Sequence, residues 1–593
     1  PNRVGVADGE LEGAAVATEG AGTGTGPSRS ASAGDPQLRR DIGFVGLMFT
    51  SVGSIIGSGW LFGALSASEI AGPAAILSWI LGGAAMILLA LVHAELGGMF
   101  PVAGGSARFP HYAFGSLAGF AGGWFAFLGA VTTAPIEVEA ALQYATGWLG
   151  ISLTHSSGGE TVLTAGGYAA ATVLMLLFSF INILGVRWLS ETNKTIVWWK
   201  IFVPVFAVIV LAVTHFDSGN FSASAGHDSG FAPFGAKGVF SAIASGGVIF
   251  AYLGFEQAIQ LGGESKNPRR NIPLAVIGSM VLGVVLYIAL QLAFVGSLEP
   301  SNLSKGWASI SLGGKSDTFG PFAGLATGLG LGWLAVILYI DAVISPGGTG
   351  LLYVGTGARL QFALGRNRYF PRIFAKLTNR GVPIWSILFA FLVGMIAFLP
   401  FPGWQKLVGF VTSATVLAYA TAPLAFGALR RQDPDRERPY RLAAGGLLAP
   451  LAFIVANEVI LFSGWAVVYK LILAILVGIA LLALNYTFSA PQQRPRLDLK
   501  HATWIAPYLI GLGVVSYLSS FDTTTKGGPF GLLVGPTNTL HFGWDVLAMA
   551  IVSLIVYFLA MHQRLPDDAV QVYIEEVTAE AEQEEREVVT AAG

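Results

Sequence analysis

The chain reads as long apolar runs separated by short polar turns. A membrane-crossing helix needs about 20 mainly apolar residues, and by that ruler about fourteen runs qualify. They lie near 42–68, 73–99, 118–148, 165–185, 194–214, 238–262, 273–297, 322–354, 384–400, 404–429, 447–465, 467–487, 504–521 and 544–562. The least distinct boundary is between spans eleven and twelve, around Trp465 to Lys470. Two runs are interrupted. Span one carries Gly53-Ser54-Ile55-Ile56-Gly57-Ser58-Gly59. Glycine loses the most backbone entropy on ordering, so such a stretch weakens a helix. In hydrocarbon, bare backbone survives only where protein buries it or where it lines a cavity. The stretch is therefore either a small-residue packing face between helices or backbone exposed for a ligand. Span six, Gly246-Gly247-Val248-Ile249-Phe250-Ala251-Tyr252-Leu253-Gly254-Phe255-Glu256, is punctuated in the same way five spans later. An odd offset inverts the second unit. Glycine-broken spans at corresponding positions of inverted halves point to a transporter site, which favours the ligand reading.

Charge placement orients the spans. Arg39, Arg40, Arg108, Arg187, Lys194, Lys266, Arg269, Arg270, Arg359, Arg366, Arg368, Arg372, Lys376 and Arg380 fall in the even-numbered turns or the leading tail. So do Arg430, Arg431, Arg436, Arg438, Arg441, Arg494, Arg496, Lys500 and Arg564, the last in the trailing tail. The odd-numbered turns hold Lys237, Lys305, Lys315, Lys406, Lys470 and Lys526 and no arginine. By the positive-inside rule both termini are cytoplasmic and the span number is even. Composition agrees with a polytopic cell-membrane protein. Of 593 residues 53% are hydrophobic and 11% charged, against about 25% charged in soluble proteins. The absence of cysteine excludes disulfides and thiolate metal sites. The first residues lack a basic, apolar and cleavage-site series, so no cleaved signal is expected. Residues 1–36, rich in Gly, Ala, Ser and Thr, read as a disordered tail. Residues 565–593 read as an acidic, solvated tail with Glu575, Glu576, Glu580 and Glu582. Turns 215–237 and 298–321 read as exposed outer loops. The basic turn 356–383 is either a short amphipathic surface helix or a plain loop.

Gly53 to Phe62, with Gly263-Glu264-Ser265-Lys266-Asn267-Pro268-Arg269-Arg270-Asn271-Ile272-Pro273 after span six, resembles the amino acid–polyamine–organocation (APC) superfamily of permeases. Leu364-Gly365-Arg366-Asn367-Arg368-Tyr369-Phe370-Pro371 through Val382-Pro383 is similar to that family's loop after helix eight. The fourteen-span count is similar to a bacterial branch that includes aspartate–proton symporters. The resemblance implies an all-α polytopic protein of LeuT type. Five plus five inverted helices would fill 37–215 and 216–440, helices one and six would be discontinuous, and four additional helices would fill 441–564.

A zwitterion presents a carboxylate and an ammonium, and broken helices can answer both from backbone alone. Amides at Gly57, Ser58 and Gly59 would face the carboxylate at the positive end of a half-helix. Carbonyls at Ile55, Phe250, Ala251 and Leu253 would accept from the ammonium, and Gly254 allows close approach. The resemblance assigns these same positions to substrate. It also implies an aromatic gate at Phe250, with Tyr353 near the site; for each ring, bundle packing is the other reading. In proton-coupled members a lysine on helix five contacts a helix-one carbonyl and a helix-eight hydroxyl, which here implies Lys200 and Thr349. The other reading is that Lys200 snorkels to the headgroups. Glu256 matches an acidic position implicated in proton sensing. Ionisable residues inside spans are costly and mark function. Glu137 and Glu139 on span three lie on different helix faces, and Glu139 is taken as the inward one. Asp341 on span eight could bind substrate or relay a proton. For each acid, a neutral carboxyl hydrogen-bonded to a neighbouring helix is the alternative.

Four acids and one lysine, with no arginine in any span, argue against an acidic substrate, so the amino acid stays open. The expected activity is proton-coupled symport of an amino acid by alternating access. No cofactor is expected beyond the proton, and the partners are the amino acid and the bilayer, with no nucleic acid. The chain would be a monomer or homodimer. An exchanger, a potassium importer on the same fold, or a sensor that binds without translocating are alternatives. A channel would show a repeated filter signature, and none is present. An enzyme is not expected: the eight histidines are scattered, with only His93 inside a span, and no nucleophile elbow or metal spacing appears.

Overall fold

The structure, a computed structural model, describes residues 42–101, 105–157, 160–184, 186–222, 230–312, 320–378, 381–399, 403–521 and 537–575. Span one is two helices, α1 (Phe44–Ile55) and α2 (Gly59–Ala71), followed by α3 (Ala75–Met99). A helix absent from the sequence reading, α4 (Gly105–Phe114), precedes α5 (Ser116–Leu149), the third span. Then come α6 (Ala165–Leu184) and α7 (Val186–Thr214). Span six is three pieces, α8 (Gly235–Ala244), α9 (Val248–Tyr252) and α10 (Gln257–Gln260), and α11 (Pro268–Gly296) is the seventh span. A short α12 (Pro321–Gly328) leads into α13 (Gly332–Arg366), α14 (Ile384–Ala397) and α15 (Trp404–Gln432). The last spans are α16 (Gly445–Phe462), α17 (Trp465–Phe488), α18 (Leu499–Ala502) with α19 (Ile505–Leu518), and α20 (Trp544–His562). Eleven described helices are long and apolar enough to cross a membrane, or twelve if the pair bent by 44° between α8 and α9 is one span. The shorter apolar helices α1 and α14 complete the set, so helix falls on each of the fourteen runs. This is a polytopic membrane protein.

The all-helical class holds, with one small antiparallel hairpin among the described residues, β1 (Thr154–Ser157) with β2 (Glu160–Leu163), in the turn after α5. Other expectations are corrected. Span eight begins at Gly332 and runs to Arg366, well past the expected end near 354, continuing through Gly355, Gly357 and Arg359. That leaves a shorter basic turn whose described residues hold a 3-10 turn, Arg372–Ala375, in place of an amphipathic helix. The turns 215–237 and 298–321 also hold short 3-10 turns, Ser218–Phe221, Pro300–Leu303 and Trp307–Ser309. The division between spans eleven and twelve falls at Ser463–Gly464, near the expected place. The tail 1–36, and the acidic tail beyond Glu575, lie outside the described residues, and residues 567–575 are helical.

Turns two, ten and twelve and the segment after α20 meet at one face. Buried Glu95 at the end of α3 accepts Arg430 Nε at 2.9 Å, Arg430 Nη2 at 2.6 Å and the Leu442 amide at 2.7 Å. Asp498 accepts the Ser116 amide at 2.7 Å, and Gln432 donates to the Ala113 and Leu565 carbonyls. These contacts tie the last spans to the first ones. Helix α16 packs on α15, α20 and α3, and Trp124 of α5 donates to Ala474 O of α17.

The two broken spans lock into each other. A Cβ on Gly59 would come within 2.7 Å of Ala251 Cα. Gly254, at φ +125°, leaves no room for a Cβ, which would sit 2.7 Å from Ser54 Cβ and 2.9 Å from Ile55 N. Ser51 Oγ donates to Phe255 O at 3.0 Å and accepts the Ala258 amide at 3.1 Å, so one side chain satisfies backbone within the second break and just after it. Ile42 N donates to Glu264 O and Lys266 N to Ile42 O, joining the start of span one to the end of span six. Gly254→Ala therefore imposes both a strained φ and a steric collision. It should cost about 2 kcal/mol or more, lowering the thermal unfolding midpoint of the purified protein followed by tryptophan fluorescence.

Candidate functional site

Between α1 and α2 the chain leaves helical geometry at Ile56, whose φ is −87° and ψ 85°. Several of the bared groups have partners. The Ser58 amide, at the positive end of α2, donates to Glu137 Oε2 at 2.8 Å. Gly53 O accepts Lys200 Nζ at 2.7 Å, and Ile55 O accepts the Tyr287 hydroxyl at 2.8 Å. Thr349 Oγ1 accepts Lys200 Nζ at 2.7 Å and lies 3.3 Å from Gly53 O and 3.4 Å from Ile56 O. Gly57 is where backbone must be thin: its Cβ would be 2.5 Å from Glu137 Oε1 and 3.0 Å from Thr349 Oγ1.

Lys200, Gly53 and Thr349 come together as the family resemblance implies. Lys200 is 1% exposed, so it does not snorkel. Gly348 makes room for it, since a Cβ there would lie 3.1 Å from Lys200 Cε. Asp341 Oδ2 accepts Trp60 Nε1 at 3.2 Å and Oδ1 accepts Ser345 Oγ at 2.7 Å, tying α13 to the first turn of α2.

The choice of Glu139 as the inward acid is corrected. Both span-three acids are buried, but Glu137 reaches the break. Neither Glu139 carboxylate oxygen has a hydrogen-bond partner among the described residues. The two positions differ by about 200° around the helix. A signal for the right one was present in the sequence. Gly122, Ala126, Ala130, Thr133 and Glu137 recur at helical spacing and line the cavities described below, whereas Glu139 is off that face.

Glu256 follows the second break and accepts from Tyr353 at 3.2 Å, Gln257 at 3.2 Å and the Tyr419 hydroxyl. It crosses from span six to α13 and α15. On the opposite side, Phe250 meets Trp404 edge-on at 5.9 Å, Trp404 stacks on Phe62 at 4.9 Å, and Trp404 Nε1 donates to Ser58 Oγ at 2.9 Å. Between these two layers Ser54, Ile55, Gly57, Gly59, Thr133, Glu137, Phe250, Leu253, Thr349 and Tyr353 line a void of about 10 Å³. That is room for about one water, so the seat is closed on both sides. Below it, Glu256, Tyr353, Thr356 and Tyr419 line a void of about 20 Å³, and beyond that a cavity of about 230 Å³ opens toward the arginine-rich face. Of the expected substrate positions, Ile55, Gly57, Gly59, Phe250 and Leu253 line the central void. Ser58 contributes its amide, while Ala251 and Gly254 act in the interlock. Ser51, Tyr287, Trp404 and Tyr419 were not anticipated. Each is an aromatic or hydroxyl residue that an apolar run contains anyway, and only the fold aims it at a break.

Residues 42–515 match the model of a family described as amino acid permease. A glutamate/serine transporter, AimA, of Bacillus subtilis (strain 168) is 37% identical over 528 residues, covering 88% of this chain and 94% of the relative. An aspartate-proton symporter of the same organism is 35% identical over 537 residues, covering 90% and 98%. A branched-chain amino acid permease, BcaP, is 25% identical over 464 residues, covering 76% and 94%. The chain belongs to the amino acid permease family within the APC superfamily, in the branch of aspartate symporter-like proteins.

Proposed function

We propose that the chain is a secondary active amino acid transporter that works as a proton-coupled symporter by alternating access. The observation that carries this reading is the Lys200 ammonium. It is held by Gly53 O and Thr349 Oγ1 at the end of α1, one short break away from the amide that Glu137 occupies. A carboxylate seat at a half-helix N-terminus is what an amino acid needs, and here a protein carboxylate fills it. Ionised, Glu137 keeps Ser58 N–H. Protonated, its carboxyl is a weaker acceptor and yields that amide to the substrate carboxylate. The substrate ammonium then turns to carbonyls at the second break, around Phe250, Ala251 and Leu253. Substrate and proton thus arrive together, and Lys200 joins their occupancy to the position of α1.

The arginine-rich face is the cytoplasmic one, with both termini there and the protein in the cell membrane. The two broken spans move against a scaffold that includes α5 and α13, opening the Phe250–Trp404 layer outward or the Glu256–Tyr353–Tyr419 layer inward. Five-plus-five inverted symmetry relates the halves. The names of the two nearer relatives quoted above support a small amino acid, acidic or serine-like, as substrate.

Uptake of labelled aspartate, glutamate and serine into proteoliposomes tests the function. An inward proton gradient should accelerate at least one of them, and uptake indifferent to the gradient rules out symport. Lys200→Ala should lower gradient-driven uptake about tenfold or more, a typical coupling magnitude. In wild type, affinity should weaken as pH rises and Glu137 ionises onto Ser58. Glu137→Gln should flatten that dependence, as read by equilibrium binding across pH. Gly57→Val should raise the substrate dissociation constant about tenfold or more, because its side chain enters the seat.

A further inference from the structure

We infer that the cavity at the arginine-rich face is a second binding site, for an amino acid that carries two carboxylates. This rests on the transport reading and deepens it. The cavity, about 230 Å³, is about twenty times the central void and is walled by α4, α5, the end of span six and α13. It lies on the route out. Gln260 and Leu360 line both it and the middle void, and Tyr353 lines both the middle void and the central one.

Its charges match a dicarboxylic amino acid. Arg108 enters from α4, Arg359 from α13 and Glu264 from the end of span six, giving two cations and one anion. The ligand would bring two carboxylates and one ammonium. His111, also in the wall, does not add a third cation: burial, with the Arg108 charge, pushes its pKa down to about 4 against the opposing effect of Asp498. Planar guanidinium groups suit carboxylates because they can bind both oxygens at once.

Arg359 is the residue that sequence reasoning misplaced. An eighth span ending near 354 put it in a turn, and the spans then held no arginine. The observed α13 runs on to Arg366, which sets Arg359 about two turns inside the helix. A helical Cα–Cβ bond tilts toward the N-terminus, here toward the middle void. Among the described residues lining the central and middle voids there is no arginine or lysine. The counter-charge for a second carboxylate is therefore supplied at the exit rather than at the seat. A zwitterion with a neutral side chain gains nothing there from the second guanidinium. An acidic one is held at the inner mouth after leaving the seat.

Equilibrium dialysis of labelled aspartate and serine against the full-length purified protein tests this. Aspartate should bind at two sites per chain and serine at one. Arg359→Gln, and more so with Arg108→Gln, should raise the dissociation constant of the second aspartate site about tenfold or more. Arg359→Lys should restore most of it, which a collapsed fold would not allow. A single aspartate site in the wild type, or a second one indifferent to both glutamines, overturns the proposal. Aspartate uptake by wild-type proteoliposomes reads the transport reading separately: uptake with one binding site sinks the vestibule alone, and no amino acid uptake sinks both.

Discussion

Everything at the centre of this protein depends on two stretches of non-helical backbone pressed together inside a membrane protein. In hydrocarbon each orphan peptide group costs several kcal/mol, so two breaks are tolerable only if each helps satisfy the other. Here Gly59 sits against Ala251 and Gly254 against Ser54 and Ile55, at distances that exclude a side chain. Ser51 of the first span serves the backbone of the second at Phe255 and Ala258. What that mutual arrangement leaves over, the Ser58 amide and the Gly53 carbonyl, is taken by Glu137 and Lys200. The polar groups at the site are thus the remainder of a backbone problem. Burying a lysine and a glutamate so deeply is acceptable because the peptide groups they meet would otherwise be unpaired.

Much of this was legible in the chain itself. Helix is found at every apolar run, since length and hydropathy are local properties that the bilayer makes decisive. The glycines of spans one and six marked the breaks for the same reason. Lys200 and Thr349 were found through family resemblance rather than periodicity, and the distances agree. The failures were of two kinds. The end of span eight was misjudged because arginines at a membrane edge look like a turn, while helix α13 simply continues through them. Choosing between Glu137 and Glu139 needed to know which face of α5 looks inward. That depends on which helices pack around it, a non-local fact that only the stripe of small residues hinted at.

The closed state follows from side chains that no apolar pattern distinguishes. Trp404, Phe62 and Phe250 cover one side of the seat, and Tyr353 and Tyr419 close on Glu256 at the other. Aromatic rings with one polar atom suit this task, because they fill space while still directing a single hydrogen bond. The void they leave has room for about one water, so the seat must swell as it opens to either side.

The stripe along α5 has a consequence of its own. From Gly122 through Ala126 and Ala130 to Thr133, one wall of the path offers nothing larger than a threonine before it reaches Glu137. A solute sliding along such a wall meets a smooth, nearly featureless surface on that flank. Discrimination between one amino acid and another then falls to the other walls, where α13 presents Thr349, Tyr353, Thr356 and Leu360, span six presents Phe250, Leu253 and Glu256, and α15 presents Thr415 and Tyr419. Changing what this protein carries should therefore be a matter of rewriting those walls and leaving the small-residue stripe alone.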